Sequence, residues 1–146
     1  MYQRIFVPVD DSATSRYALG EALRLAKLTQ ATVRLVHVVD LAQFGWGGTE
    51  FLDASELQGN IKATGEAVLN ASSSLVEAAG LPCNATLLES WGDKIAEVLV
   101  EDADKWDADL IVMGSHGRRG LEKLMLGSVT QRVLGVVHVP VLVVRD

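Results

Sequence analysis

Apolar residues along this chain form two patterns, short continuous runs and longer stretches in which they recur every three or four positions. Runs of strand length predict five buried β-strands at Arg4–Val9, Thr32–Val39, Cys83–Leu88, Leu110–Met113 and Val139–Val144. Helical spacing predicts four amphipathic helices, at Ala13–Leu28, from Ser55 to a C-terminal glycine at Gly80, from about Asp93 to Trp106, and after Gly127. Strands and helices are therefore expected to alternate strictly.

Residues 41–54 follow neither pattern and carry the aromatic residues Phe44 and Trp46 among three glycines. We interpret this segment as a loop. Two roles stay open from the sequence, a surface Ω-loop packed on its own side chains and a lid or partner contact.

The alternating order of strands and helices predicts an α/β fold with an open five-stranded sheet. Because every strand is mostly apolar, the sheet is expected to be parallel, with helices on both faces. We predict the strand order 3-2-1-4-5, partly because it brings the ends of strands one and four together at the switch point. Open α/β sheets bind ligands in the crevice at such a point. Strand one ends at Val9 and Asp10, and strand four at Met113 and Gly114.

Length and composition indicate one globular domain over residues 1–146, with 49% hydrophobic and 22% charged residues. No apolar run approaches the roughly 18 residues that span a bilayer, and the acidic opening MYQRIFVPVDD is unlike a signal peptide. A cytoplasmic protein with no membrane insertion is therefore expected. Cys83 is the single cysteine and is interpreted as a structural thiol, because no His or Lys stands near it in the sequence.

Glycines dominate the segment that follows the fourth strand. Gly114, Gly117 and Gly120 recur every three residues, and Gly127 and Ser128 precede the last helix, where the serine is predicted to cap it. Glycine lets backbone N–H groups approach a ligand closely, and a helix N-terminus favours anions. The segment therefore predicts a phosphate site.

The distribution of charge along the chain indicates that the phosphate ligand is a small molecule and not a polymer. The net charge of −6 argues against a nucleic-acid or anionic-membrane binder, since both need clustered Lys and Arg. The clustered cations Arg118, Arg119 and Lys123 lie inside the glycine-rich segment. A nucleotide fits this distribution better than a polymer.

Two common phosphate loops are absent from the sequence. It contains no Gly-Lys dipeptide and hence no Walker A motif, and no G-x-G-x-x-G follows the first strand. It contains instead the pattern G-x2-G-x9-G-S, from Gly114 to Ser128. With this pattern, and with IFVPVD, LVHVVD, ADLIVMGSHGRRGLEKLMLGSVTQRVL and VPVLVVR, the whole chain resembles the universal stress proteins, and specifically their ATP-binding branch.

The resemblance implies an adenine-nucleotide alpha-hydrolase-like fold that binds ATP. Asp10 and Asp11 stand side by side, so we expect Mg²⁺ to accompany the phosphates, since that ion needs only one or two carboxylates besides phosphate oxygens. The resemblance implies adenosine contacts at Pro8, Val9 and Asp10, with Val38 or Val39 beside the adenine. Contacts to the ribose and inner phosphates are implied at Met113, Gly114, His116 and Gly117. The outer phosphates are implied to contact Gly127, Ser128, Val129 and Thr130.

Several side chains in this set have a simpler structural interpretation as well. Asp10 is either a turn residue or a ligand of ribose or Mg²⁺, and ligand contact is favoured. His116 is expected to position the loop, because no Ser/His/Asp set or carboxylate pair accompanies it. Arg118 and Arg119 are either phosphate ligands or solvated loop charges, and both interpretations stay open. His37, in the middle of a strand, is expected to be structural.

The resemblance and the motif together favour an ATP-binding regulatory protein of the stress response, with no catalytic residues and at most slow hydrolysis. The last strand, Val139–Val144, is predicted at a sheet edge that a second copy can cover, and the resemblance implies a homodimer there, with higher oligomers open. The resemblance also implies a membrane transporter as one kind of protein partner. The alternatives are a slow ATPase or nucleotidyl-transfer enzyme, and a structural dimer module with a vacant site.

Overall fold

A computed structural model of the chain describes residues 1–41, 54–92, 94–116 and 126–146. Five strands alternate with four helices: β1 Arg4–Pro8, α1 Ala13–Thr29, β2 Thr32–Asp40, α2 Ala54–Ala78, β3 Cys83–Ser90, α3 Ile95–Lys105, β4 Leu110–Gly114, α4 Ser128–Val136 and β5 Val141–Val144. The predicted alternation is confirmed. Most of the predicted loop at 41–54 lies outside the described residues.

The strands form one parallel sheet in the order β3-β2-β1-β4-β5, as predicted. In the centre of the sheet Ile5 of β1 is in register with Val33 of β2 on one side and with Leu110 of β4 on the other. The carboxyl ends of β1, β2 and β4 therefore meet at one edge, where the order reverses direction.

Side-chain alternation along the strands divides the core into two layers. On one face, Ile5 and Val7 of β1 pack with α1 and α2, and on the other face Phe6 packs with α3 and α4. All three side chains are fully buried. Each central strand is apolar on both faces because helices cover both, which explains the continuous apolar runs in the sequence.

The last strand begins two residues later than predicted, at Val141 and not Val139. Pro140 has no N–H to donate to a ladder, although its carbonyl still accepts a hydrogen bond from the N–H of Ile111 at 3.0 Å. The strand lies at one edge of the sheet, as predicted.

The predicted serine cap of the last helix is wrong. The N-cap residue of α4 is Gly127, with φ −62° and ψ 156°, and Ser128 is already helical. The N–H of Gly127 donates to the carbonyl of Ser115 at 2.7 Å. This bond ties the extended Gly127 backbone to the end of β4, and the helix starts one residue earlier than a Ser128 cap would imply.

The amino end of the sheet is held by an ion pair between β2 and α3. The guanidinium of Arg34 contacts both carboxylate oxygens of Asp102, with Nε–Oδ2 at 2.8 Å and Nη2–Oδ1 at 3.0 Å. The two side chains are only 12% and 15% exposed. Arg34 also donates to the side-chain oxygen of Asn84 on β3. This network joins two strands and one helix away from the cavity described below.

Cys83 at the start of β3 is half-buried and forms no disulfide. Burial raises the pKa of its thiol, against a smaller lowering by the Ser73 hydroxyl. A raised pKa disfavours the reactive thiolate, in agreement with a structural role. None of the helices in the described ranges is long and apolar enough to cross a bilayer.

Helix α2 approaches β2 closely at Gly65. A Cβ built there would lie 2.7 Å from Cδ2 of His37 and 2.8 Å from Cδ1 of Leu87, whereas nothing lies within 4 Å of a Cβ at Gly59 on the same helix. We expect Gly65→Ala to lower the free energy of unfolding by about 1–3 kcal/mol through overpacking. Gly59→Ala should raise it by up to about 1 kcal/mol, because alanine favours helix.

Urea unfolding of the two alanine variants beside wild type measures both changes. Equal effects at the two positions would contradict the close approach of α2 to His37.

Candidate functional site

A cavity of about 530 Å³ lies at the carboxyl edge of the sheet, between the ends of β1, β2 and β4 and the first turns of α3 and α4. Its volume is in the range of small-molecule sites. Eleven of the residues predicted to contact a nucleotide line it: Pro8, Val9, Asp10, Val38, Met113, Gly114, His116, Gly127, Ser128, Val129 and Thr130. The topological switch point and the ends of the glycine-rich segment thus meet in one cavity.

The remaining predicted contacts lie elsewhere. Val39 is 2% exposed and is not among the residues that line the cavity. Neighbouring side chains of a strand point to opposite faces, so Val38 packs on the α3 side, where the cavity is, and Val39 does not. Gly117, Arg118 and Arg119 lie outside the described residues.

The chain turns at the end of β1 through a set of short hydrogen bonds. The N–H of Asp10 donates to Oγ of Ser15 at 2.9 Å, and Oδ1 of Asp10 accepts from the N–H of Ser12 at 2.8 Å. Ser12 in turn caps α1 by accepting from the N–H of Ser15 at 3.1 Å. Asp10 therefore has a turn role and also lines the cavity, so the two interpretations from the sequence are compatible.

His37 is a cavity residue that the sequence did not indicate. Its Nδ1 lies 2.8 Å from the carbonyl oxygen of Val9, and since a carbonyl can only accept, Nδ1 carries the proton. The N–H of Val9 donates to Val36 at 2.8 Å. His37 thus fixes the peptide that follows β1, in keeping with the expected structural role, and lines the cavity as well.

Both ring nitrogens of His116 have partners. Nε2 lies 3.0 Å from Oγ1 of Thr14, which is 1% exposed, and Nδ1 lies 3.2 Å from Oγ of Ser115. A histidine engaged at both nitrogens by hydroxyl groups is suited to positioning more than to proton transfer. The geometry supports the predicted positioning role.

The two ends of the glycine-rich segment are joined to each other. Oγ1 of Thr130 donates to the carbonyl of Gly114 at 2.9 Å, alongside the Ser115–Gly127 bond. A Cβ at Gly114 would come within 2.6 Å of Cγ2 of Thr14, and one at Gly127 within 3.1 Å of Cα of His116. Close packing therefore selects glycine at Gly114 and at Gly127. The φ of Gly127 is −62°, a conformation open to any residue, so the backbone alone does not require glycine there.

Further lining residues were not predicted from the sequence, although some of them stand on β2 and α4, which it did connect to the site. They are Ser15, Val36, Asp40, Gly92, Ile95, Ala96, Leu99 and Arg132. The N–H of Gly92 donates to Oδ1 of Asp40 at 3.1 Å and so ties the end of β3 to the end of β2. The one available signal was topological, since the first turn of α3 must begin at the same edge of the sheet as the glycine-rich segment.

The cavity wall carries both signs of charge. Asp10 and Asp40 contribute carboxylates, and Arg132 of α4 contributes a guanidinium that pairs with Oε1 of Glu97 on α3. A hydrogen bond from its own backbone N–H and the pairing with Arg132 hold the pKa of Glu97 below its ordinary value. Within the four described ranges, no group of three or more His, Cys, Asp or Glu is arranged to hold a metal ion.

Comparison with known proteins gives a consistent result. A family model described as "Universal stress protein family" matches residues 1–145. A universal stress protein of Methanocaldococcus jannaschii is 38% identical, over 99% of this chain and 83% of the relative. The solved structure of MJ0577, from the same organism, has a TM-score of 0.87 at 29% identity and covers 100% of this chain and 97% of that one. A universal stress protein of Archaeoglobus fulgidus in complex with dAMP has a TM-score of 0.69 at 26% identity, covering 99% and 98%.

Proposed function

The chain belongs to the universal stress protein family, and we propose that it is a regulatory protein that binds ATP in the cavity at the carboxyl edge of its sheet. The observation that carries the proposal is the meeting, in one cavity, of an apolar wall, the Gly114 turn and the start of α4. The dAMP complex of the A. fulgidus relative supports an adenine nucleotide as the ligand class.

The apolar part of the cavity suits the adenine ring. Val36 and Val38 of β2 and Ala96 and Leu99 of α3 line it and belong to one hydrophobic cluster, and a flat aromatic base gains from burial against such side chains. The carboxylate of Asp10 at the rim accepts hydrogen bonds and suits a ribose hydroxyl. Base and ribose then lie beside the end of β1 that His37 fixes.

The phosphates are assigned to the opposite part of the cavity. The first backbone N–H groups of α4, at Ser128, Val129 and Thr130, have no partners within the helix and lie at its positive dipole end. Gly114 and Gly127 keep the backbone free of Cβ atoms beside them. Such an arrangement favours an anion without a Walker lysine.

The donors on the described wall are compatible with Mg²⁺ if the nucleotide supplies most of the ligands. Asp10 offers one carboxylate on the cavity wall, and Mg²⁺ commonly uses one or two carboxylates together with phosphate oxygens. Bound Mg²⁺ would neutralise phosphate charge. Asp10 would hold the ion on the rim, with the Ser12 N–H keeping the carboxylate in place.

The proposed role is regulatory, with at most slow hydrolysis. His116, the one histidine of the glycine-rich segment, is engaged at both ring nitrogens. Efficient phosphoryl transfer needs metal ligands, a positioned cation and a water-orienting group together. Nucleotide occupancy is proposed to order the turn after Gly114 and to bias homodimerisation through β5. A membrane transporter as partner, and a cytoplasmic location, stay predictions from the sequence.

Mass analysis of nucleotide that co-purifies with the protein, followed by melting with ATP, ADP and AMP, tests the proposal. With ATP at one hundred times its Kd, the stabilisation should be about 2.7 kcal/mol. Absence of both bound nucleotide and a melting shift would sink the ATP assignment and favour a structural module with a vacant site. Steady phosphate release that Asp10→Ala or His116→Ala abolishes would favour the enzyme alternative.

A valine at Gly127 should remove the ATP response and leave the protein folded. Its backbone conformation is open to any residue, but a side chain there meets Cα of His116 and fills the space beside the α4 N–H groups. Gly135→Val on the same helix is the matched control, because nothing lies within 4 Å of a Cβ at that position. An ATP shift retained by Gly127→Val would place the phosphates elsewhere.

A further inference from the structure

We propose that Arg132 selects phosphorylated nucleotides over the bare nucleoside by exchanging its ion-pair partner, from Glu97 in the empty cavity to a phosphate of the bound ligand. This inference rests on the proposed nucleotide function. It assigns a specificity role to a residue of α4 that lies beyond the glycine-serine pattern.

Position gives the first argument. Arg132 follows Ser128 by four residues, so the two side chains lie on the same face of α4, and both line the cavity. Helical side chains tilt toward the helix N-terminus. The guanidinium of Arg132 is therefore directed toward the end of α4 to which the phosphates are assigned.

Charge gives the second argument. Asp10, Asp40 and Arg132 are the charged residues on the described cavity wall, and Arg132 is already neutralised by Glu97. A triphosphate benefits from an additional positive charge beside the α4 N–H groups, which Arg132 can supply once it leaves Glu97. Adenosine, which carries no charge, gains nothing from that release.

The Glu97–Arg132 pair is also easily exchanged. The side chains are 42% and 52% exposed, and ion pairs at such exposed positions contribute little to stability. Glu97 accepts from Arg132 through Oε1 and also from its own backbone N–H, so its carboxylate retains one hydrogen bond when Arg132 turns away. A phosphate offers Arg132 a two-pronged, charge-assisted contact, whereas Glu97 accepts from Arg132 through one oxygen, Oε1.

The test compares the affinities of ATP and adenosine, by calorimetry at low ionic strength, in wild type, Glu97→Gln, Arg132→Gln and the double variant. Arg132→Gln should lower the ratio of ATP affinity to adenosine affinity by about tenfold or more. Glu97→Gln should raise that ratio by about two- to fivefold, because the competing carboxylate is gone. In the double variant the Glu97 substitution should have no further effect.

Two results would overturn the partner exchange. If Arg132→Gln weakens ATP and adenosine equally, the pair only holds α3 to α4. If Glu97→Gln still raises ATP affinity when Arg132 is absent, the carboxylate acts by general repulsion. Arg24→Gln, which breaks an exposed ion pair with Glu21 on α1, is the control and should leave the ratio unchanged. Failure of wild type to bind either ligand would instead refute the proposed function itself.

Discussion

Replacing Gly114 by alanine should remove the rise in melting temperature that ATP is proposed to give the wild-type protein. The new Cβ would lie 2.6 Å from Cγ2 and 3.2 Å from Cβ of Thr14, and 3.3 Å from the carbonyl of His116. Thr14 cannot move aside freely, because it is 1% exposed and its hydroxyl bonds the His116 ring. The clash should therefore displace the backbone around Gly114 and lower the free energy of unfolding by about 1–3 kcal/mol.

A second substitution separates this packing mechanism from a general loss of structure. Thr14→Ser removes Cγ2, the nearest atom, but keeps the hydroxyl that contacts His116. In that background Gly114→Ala should regain part of its ATP response, measured by melting with and without ATP. If Thr14→Ser gives no recovery, the contact between Thr14 and Gly114 is not what makes glycine necessary there.

Asp102→Ala should destabilise the protein by about 3 kcal/mol, the larger of the expected effects on folding. The substitution leaves the guanidinium of Arg34 without its carboxylate at a position where the side chain is 12% exposed. Asn84 accepts only one of its N–H groups. The penalty arises from a buried charge that has lost its partner, and urea unfolding measures it.

Removing both charges tests that origin. Arg34→Met combined with Asp102→Leu should recover most of the stability lost by Asp102→Ala, because apolar side chains of similar size can replace a buried pair. Since Arg34 stands near the start of β2 and the cavity lies at its end, the ATP-induced shift should persist in the double variant. A double variant no more stable than Asp102→Ala would show that packing, and not the unpaired charge, dominates.

Much of the fold could be predicted from the sequence because local chemistry determines it. The apolar runs placed all five strands, and Gly80 was assigned as a C-terminal glycine, a position where it adopts φ +76°. The confirmed strand order brings the end of β1 beside the end of β4, although that order was predicted partly because it has this result. Each of these features depends on residues close in sequence or on the general rules for parallel sheets.

The features that the sequence did not predict depend on contacts between distant residues. Side chains alternate between the two faces along β2, but this alternation could show whether Val38 or Val39 lines the cavity only if the helices on each face were known. The Ser128 cap failed because the Ser115 carbonyl, 12 residues earlier, takes the N–H of Gly127. The pairing of Glu97 with Arg132 across 35 residues, and the contact of His37 with Val9 across 28, have no local signature.

The N–H of Ser115 donates to the carbonyl of Val144 at 2.8 Å, so the first residue after β4 is bonded to the last residue of the edge strand β5. The backbone of Ser115 is thus bonded both to Gly127, at the end of the glycine-rich segment, and to the strand of the proposed subunit contact. Thermodynamic linkage then makes the two equilibria reciprocal. Whatever factor ATP contributes to the dimerisation constant, dimerisation must contribute the same factor to ATP affinity, so ATP titrations of dilute and concentrated protein should differ by that factor.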